Sequence, residues 1–245
     1  MADEDDQRWV MAASAFRNTF YLRYNQRRLE HLASLGLDLH ARTVLDVGAG
    51  VGDHATFFID RGCTVVSVEG RAENCDAYVK IFANQLYVNV PMPTVVHARV
   101  EEMDGRVDGT FDVVYCYGLL YHLTDPASAL TSLARRSSDL LLLETRVSFG
   151  SDESTNPTAE LAECPSQAMT GIGCRPTRPW LFKRLSEHFE HVYVPRTQPN
   201  HEDFPLDWLA PSADLKPRAV FIGSRRPLDN PVLLDHLPDR QVRCA

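Results

Sequence analysis

Residues Val44 to Gly52 read VLDVGAGVG, an apolar run containing Asp46 that meets glycines at 48, 50 and 52. Glycine is needed where backbone takes positive φ or approaches a ligand closely. The compact helical pattern that follows, Asp53 to Asp60 closed by Gly62, would present free N–H groups at its start. The stretch predicts strand, loop and helix, with the loop as a cradle for a ligand. A dinucleotide fingerprint would place glycines at 48, 50 and 53, but position 53 is aspartate.

Further along, the spacing predicts strand Thr64 to Val68, helix Ala72 to Leu86, and strands Thr94 to His97 and Phe111 to Tyr117. Asp125 is placed to cap a helix beginning at Pro126, and Leu140 to Leu143 form an uninterrupted apolar strand. Strands apolar on both faces belong in parallel sheets covered by helices. Ahead of the loop, apolar positions from about Gln7 to Leu35 predict a helical lead-in stopped by Gly36. Beyond it, the pattern loosens from Arg146 to Thr177, then gives helix Trp180 to Phe189 and strands His191 to Val194 and Ala219 to Ser224. We expect one domain over 1–245. It has a lead-in at 1–40, a cofactor-binding half at 41–148, substrate-side loops and closing strands at 149–226, and a loosely held tail at 227–245.

Glu69 follows the second strand, 17 residues after Gly52. A carboxylate at that strand's tip is suited to accept both hydroxyl hydrogens of a ribose. Nicotinamide and sulfonium cofactors share that need, so glycine spacing discriminates between them, together with Asp46, whose charge would attract an amino group.

With 44% apolar and 24% charged residues the chain has an ordinary globular composition. A net charge of −8 provides no broad cationic field and argues against nucleic acid and anionic membranes as partners. Six cysteines show no CxxC pair or zinc-ligand spacing, and no HxH or HExxH occurs, so no metal is expected. No run of about 18 apolar residues is present. These features predict reduced thiols and a cytoplasmic setting.

Through VLDVGAGVGDH, VVSVEGRAEN, FDVVYCYGLLYHLTDP and LLLLETRVS, in that order, the chain resembles the class I S-adenosylmethionine-dependent methyltransferases over roughly Arg42 to Ser148. The resemblance implies a Rossmann-like seven-stranded, mostly parallel sheet with helices on both faces and the last-inserted strand, Ala219 to Ser224, antiparallel. It also implies S-adenosyl-L-methionine as cofactor. Gly48, Ala49 and Gly50 would line the methionine part, with Asp46 near its amino group. Glu69 would hold the ribose, and Gly70 and Arg71 would border the adenine. Where the family commonly has an adenine-binding aspartate this chain has Arg99, leaving Glu101 or the backbone of Val100 for that role.

In open α/β sheets ligands sit beyond the carboxyl ends of the strands, which directs attention to the loops there. His122 in GLLYHLTDP is the first candidate general base; the alternative is a histidine that shapes its loop through a backbone hydrogen bond. Tyr117 and Tyr121 either pack on a sulfonium or belong to the core. Glu144 and Arg146 either hold a polar acceptor or pair with each other. Arg175, and His201 with Trp208 in the polar connection HEDFPLDW, complete the acceptor candidates. The leading expectation is a methyltransferase acting on an oxygen or nitrogen of a small molecule, such as a sugar or secondary metabolite. The rivals are a tRNA-modifying methyltransferase, a non-catalytic binding module and a nicotinamide oxidoreductase.

Overall fold

A computed structural model describes residues 4–84, 91–211 and 216–244. Two helices open it, α1 (Glu4–Phe16) and α2 (Thr19–Ser34). Asn18 separates them and caps α2, its side chain accepting from Tyr21 N. The expected strand, loop and helix follow as β1 (Thr43–Val47) and α3 (Ala55–Ile59), then β2 (Thr64–Glu69), α4 (Ala72–Asn84), β3 (Thr94–His97) and β4 (Phe111–Tyr117). The end expected for α4, at Leu86, lies outside the described residues.

Helix α5 (Pro126–Arg136) starts as predicted, with Asp125 accepting from Ser128 N and proline in its first turn. β5 (Ser137–Arg146) is longer than the leucine run alone suggested. A small antiparallel pair, β6 (Pro157–Ala159) and β7 (Ile172–Cys174), interrupts the loosened stretch. Then come α6 (Arg178–Ser186), β8 (His191–Pro195), β9 (Thr197–Gln198), β10 (Arg218–Ser224), β11 (Leu233–Leu234) and β12 (Val242–Arg243).

The main sheet has eight strands, ordered β11-β8-β10-β5-β4-β1-β2-β3, rather than the seven expected. β1 to β5 pair in parallel, and β10 is antiparallel to both β5 and β8. The extra strand comes from the segment expected to be a loosely held tail. Leu233 and Leu234 are buried and pair with β8, while Val242 and Arg243 pair with β9.

Alternate residues of β5 point to opposite faces and show how both are covered. Leu141 and Leu143 join a core with Leu130, Leu133 and Leu181 from α5 and α6. Leu140 and Leu142 join one with Leu32, Phe57 and Phe58 from α2 and α3. The chain reverses its direction of travel across the sheet between β1 and β4, which opens the crevice where such sheets bind ligands. No described helix is long and apolar enough to cross a membrane.

Candidate active site

A cavity of about 240 Å³ lies over the carboxyl ends of β1, β2, β4 and β5. Its cofactor side is walled by Gly48, Gly50, Glu69, Gly70, Arg71 and Asn74. Gly50 has a φ of +57°, and a Cβ there would lie 3.0 Å from the ring of Phe16, which roofs the loop from α1. At Gly52, with φ +82°, a Cβ would lie 2.3 Å from Tyr78, so that glycine serves packing beneath the loop.

Glu69 is tied at both oxygens. Oε2 accepts from Gly50 N at 2.8 Å, and Oε1 from Arg71 N at 2.9 Å and Asn74 Nδ2 at 3.2 Å. Burial raises its pKa, and those hydrogen bonds oppose the rise. The carboxylate is thereby aimed while keeping lone-pair capacity on Oε2. Arg99, Val100, Glu101 and Tyr117 also line the cavity, and Arg99 pairs with Glu101 at 3.4 Å. Asp46 and Ala49 are not on its wall. Asp46 is buried behind the loop, and its carboxyl is pushed up to about 7 by desolvation and by Glu69.

Tyr121, His122 and Arg146, expected on the acceptor side, line the same cavity. Nδ1 of His122 faces Glu160 Oε2. Glu160 also accepts from Arg175 Nη2 and from Ala168 N, each at 2.8 Å. Burial disfavours its charge, but the His122 hydrogen bond and Arg175 outweigh that and hold its pKa down to about 2. A carboxylate in that state accepts a proton bond, so Nδ1 of His122 donates and Nε2 is left as the ring's basic atom. Burial lowers the His122 pKa and Glu160 partly restores it. Neither His122 nitrogen bonds a backbone carbonyl; the ring is held by a carboxylate.

Three expected acceptor residues lie elsewhere. Arg175 is committed to Glu160 and to the carbonyls of Tyr121 and Cys174. Trp208 packs under the Arg178 guanidinium at 4.0 Å and donates Nε1–H to Gln241. His201 is buried between Phe20 and Tyr24 and accepts from Asp203 N, although Asp203 itself reaches the cavity.

Glu144 does not pair with Arg146. It is fully buried beneath the cavity, where it accepts from Arg28 at 2.7 Å, Arg218 at 2.9 Å and the Tyr24 hydroxyl at 3.2 Å. The two guanidinium groups overcome the burial cost and hold its pKa below the ordinary carboxylate value. Arg218 Nη2 donates to the Tyr121 hydroxyl at 2.9 Å, so the network fixes a side chain of the acceptor wall. Sequence reasoning missed Asn74, Glu160, Arg218 and the roof of Phe16, Phe20, Tyr21 and Tyr24. The roof residues did carry a signal, an aromatic cluster in the lead-in.

Residues 45–137 match the family model described as a methyltransferase domain. The chain is 37% identical over 136 residues to a tRNA U34 carboxymethyltransferase of Actinobacillus succinogenes, covering 53% of this chain and 39% of that protein. It is 32% identical over 113 residues to a ubiquinone biosynthesis O-methyltransferase of Erwinia tasmaniensis, covering 46% and 45%. The alignments thus span less than half the length of these curated relatives. Among solved structures, the N-terminal domain of EvdMO1, crystallised in the presence of S-adenosylhomocysteine and D-fucose, superposes with a TM-score of 0.61 at 24% identity, covering 83% of each chain. That likeness is one of fold. Residues 45–137, from β1 through α5, thus form a methyltransferase domain, and the sheet order is that of a Rossmann-like methyltransferase fold.

Proposed function

We propose that this protein transfers a methyl group from S-adenosylmethionine to an oxygen or nitrogen of a small molecule, with His122 as general base. The observation that carries the reading is that the Glu69 cradle and His122, which is held by Glu160 behind it, line one cavity. The residues present suit the cofactor. Glu69 keeps lone-pair capacity on Oε2 at that wall, and Asn74 and Tyr117 line the same cavity, their Oδ1 and hydroxyl making no hydrogen bond to any described residue. Glu69 and Asn74 would hold the ribose hydroxyls, Gly48 and Gly50 the amino-acid part, and Arg99 to Glu101 the adenine edge.

When bound, the cofactor supplies an electrophilic methyl carbon on a sulfonium. The protein contributes alignment: Phe16, Phe20, Tyr21 and Tyr24 line the cavity from the lead-in helices, with Tyr117 and Tyr121 on the strand side. Nε2 of His122 takes the proton from the acceptor's hydroxyl or amine, and Glu160 steadies the ring as it becomes charged. Six free cysteines, five of them buried, support a reducing cytoplasmic setting.

Calorimetric titration with S-adenosylhomocysteine tests the cofactor half; no binding at millimolar ligand would refute it. Incubation with labelled S-adenosylmethionine and fractionated cell extract, followed by mass identification of methylated products, tests the acceptor class. A tRNA acceptor is the second reading, favoured by the identity with the tRNA U34 enzyme and opposed by the net charge of −8. Salt-sensitive tRNA binding would reverse the order.

A further inference from the structure

In the antiparallel pairing of β5 with β10, Arg146 lies directly opposite Arg218. Like charges at such positions repel and need compensation. Arg218 receives it from Glu144 at 2.9 Å, with Asp203 at 3.9 Å from its Nε. Arg28 shares Glu144 at 2.7 Å, and Arg175 is spent on Glu160 at 2.8 Å. Arg146 receives nothing comparable: no hydrogen bond or ion pair joins its guanidinium to any described residue. Its Nε is buried without a partner, and the contact found is with the face of Tyr121, 5.5 Å away.

Arg146 also stands between two spaces. It lines the main cavity with Tyr121 and His122, and it lines a second, adjoining cavity with Ser148, Phe149, Arg175 and Lys216, in which no acidic side chain takes part. Around β5 and β10 stand three guanidinium groups, those of Arg28, Arg146 and Arg218, against two carboxylates, Glu144 and Asp203, and both carboxylates pair with Arg28 or Arg218. One positive charge is left over, and it sits on the residue that faces both cavities. A planar guanidinium with free N–H groups matches an oxyanion in two-pronged fashion.

We propose that the methyl acceptor carries an oxyanion, carboxylate or phosphate, which Arg146 grips at the junction of the two cavities while the acceptor's nucleophile reaches His122. This rests on the methyl-transfer reading above, which it narrows to anionic acceptors. The aromatic lining suggests ring-bearing probes, so the test uses benzoate, phenyl phosphate and the neutral benzamide.

Each probe is titrated calorimetrically into full-length protein, wild type and R146Q, with and without saturating S-adenosylhomocysteine. Wild type is expected to bind benzoate or phenyl phosphate about tenfold or more tighter than benzamide, and the stronger of the two identifies the oxyanion. R146Q should lose the preference with S-adenosylhomocysteine affinity unchanged, and R146K should regain part of it for phenyl phosphate, because lysine offers a charge without the planar fork. Equal affinity for all three probes in wild type, binding of none, or a preference that survives R146Q would overturn the proposal. Failure of S-adenosylhomocysteine to bind strikes the cofactor reading instead, and the arm without it still reports on Arg146.

Discussion

Glu160 and His122 are joined through Oε2 and Nδ1 across 38 residues of sequence, and the same carboxylate is anchored by Arg175 and Ala168 N. The loosened stretch between β5 and α6 thus supplies the group that orients the base. His122→Ala should lower turnover by about 10²- to 10⁴-fold while S-adenosylhomocysteine binding holds, and labelled methyl transfer with calorimetry measures both. In Glu160→Gln the rate falls and the rising limb of the pH–rate profile moves to lower pH, because the carboxylate raises the His122 pKa. A limb that stays in place would show that His122 is not the titrating group.

Glu69 makes the charge-assisted contacts that set the cofactor loop. Glu69→Gln should weaken S-adenosylhomocysteine binding by roughly 10- to 100-fold, since hydrogen bonds to a charged group contribute about 1.5–3 kcal/mol. Unchanged affinity by calorimetry would move the ribose site elsewhere.

Glu144 holds two buried guanidinium groups. Glu144→Gln leaves both without a counter-charge and should cost about 3–5 kcal/mol, read by urea denaturation. Glu144→Asp, which retains charge at a shorter reach, should recover part of that loss.

His31, buried against Thr197, has a pKa lowered from 6.5 to about 4 by desolvation. A group whose pKa is lower in the folded state adds stability above its unfolded pKa and loses it as pH falls toward the folded one. Between about pH 7 and about pH 5 this residue should therefore withdraw about 2 kcal/mol. Denaturation at both pH values should show His31→Gln losing correspondingly less than wild type.

Gly173 lies beside the acceptor wall: a Cβ there would come 2.3 Å from the Tyr121 carbonyl and 2.9 Å from Glu160 Oε1. Gly173→Ala should cost about 1–3 kcal/mol through overpacking and depress turnover more than cofactor binding, because what it displaces holds His122. Equal losses in both measurements would contradict that division.

The cofactor half was readable because its signals are local. Strand, glycines and Glu69 fall within Val44 to Glu69, and each short motif states its own geometry. The acceptor half depends on partners far apart in sequence. Nothing in α2 marks Tyr24 and Arg28, one turn apart, as partners of Glu144, and a spacing cannot show which carboxylate a guanidinium will meet. Trp208 and His201 were singled out for a composition suited to a pocket, yet the indole is held by Gln241 and Arg178, and His201 by backbone and aromatic rings. The end of the chain escaped notice because β11 and β12 span two residues each, too short for alternation to register.

The Arg28–Glu144–Arg218 cluster also fixes an order of events during synthesis. Its hydrogen bonds close loops of 116 and 74 residues, so it cannot assemble until Arg218 has left the ribosome. The strands that cradle the cofactor have been made long before. Contacts between residues far apart in sequence slow folding in general, and here such contacts complete the acceptor wall. The residues of the donor site are therefore synthesised well before Arg218, which completes the acceptor wall.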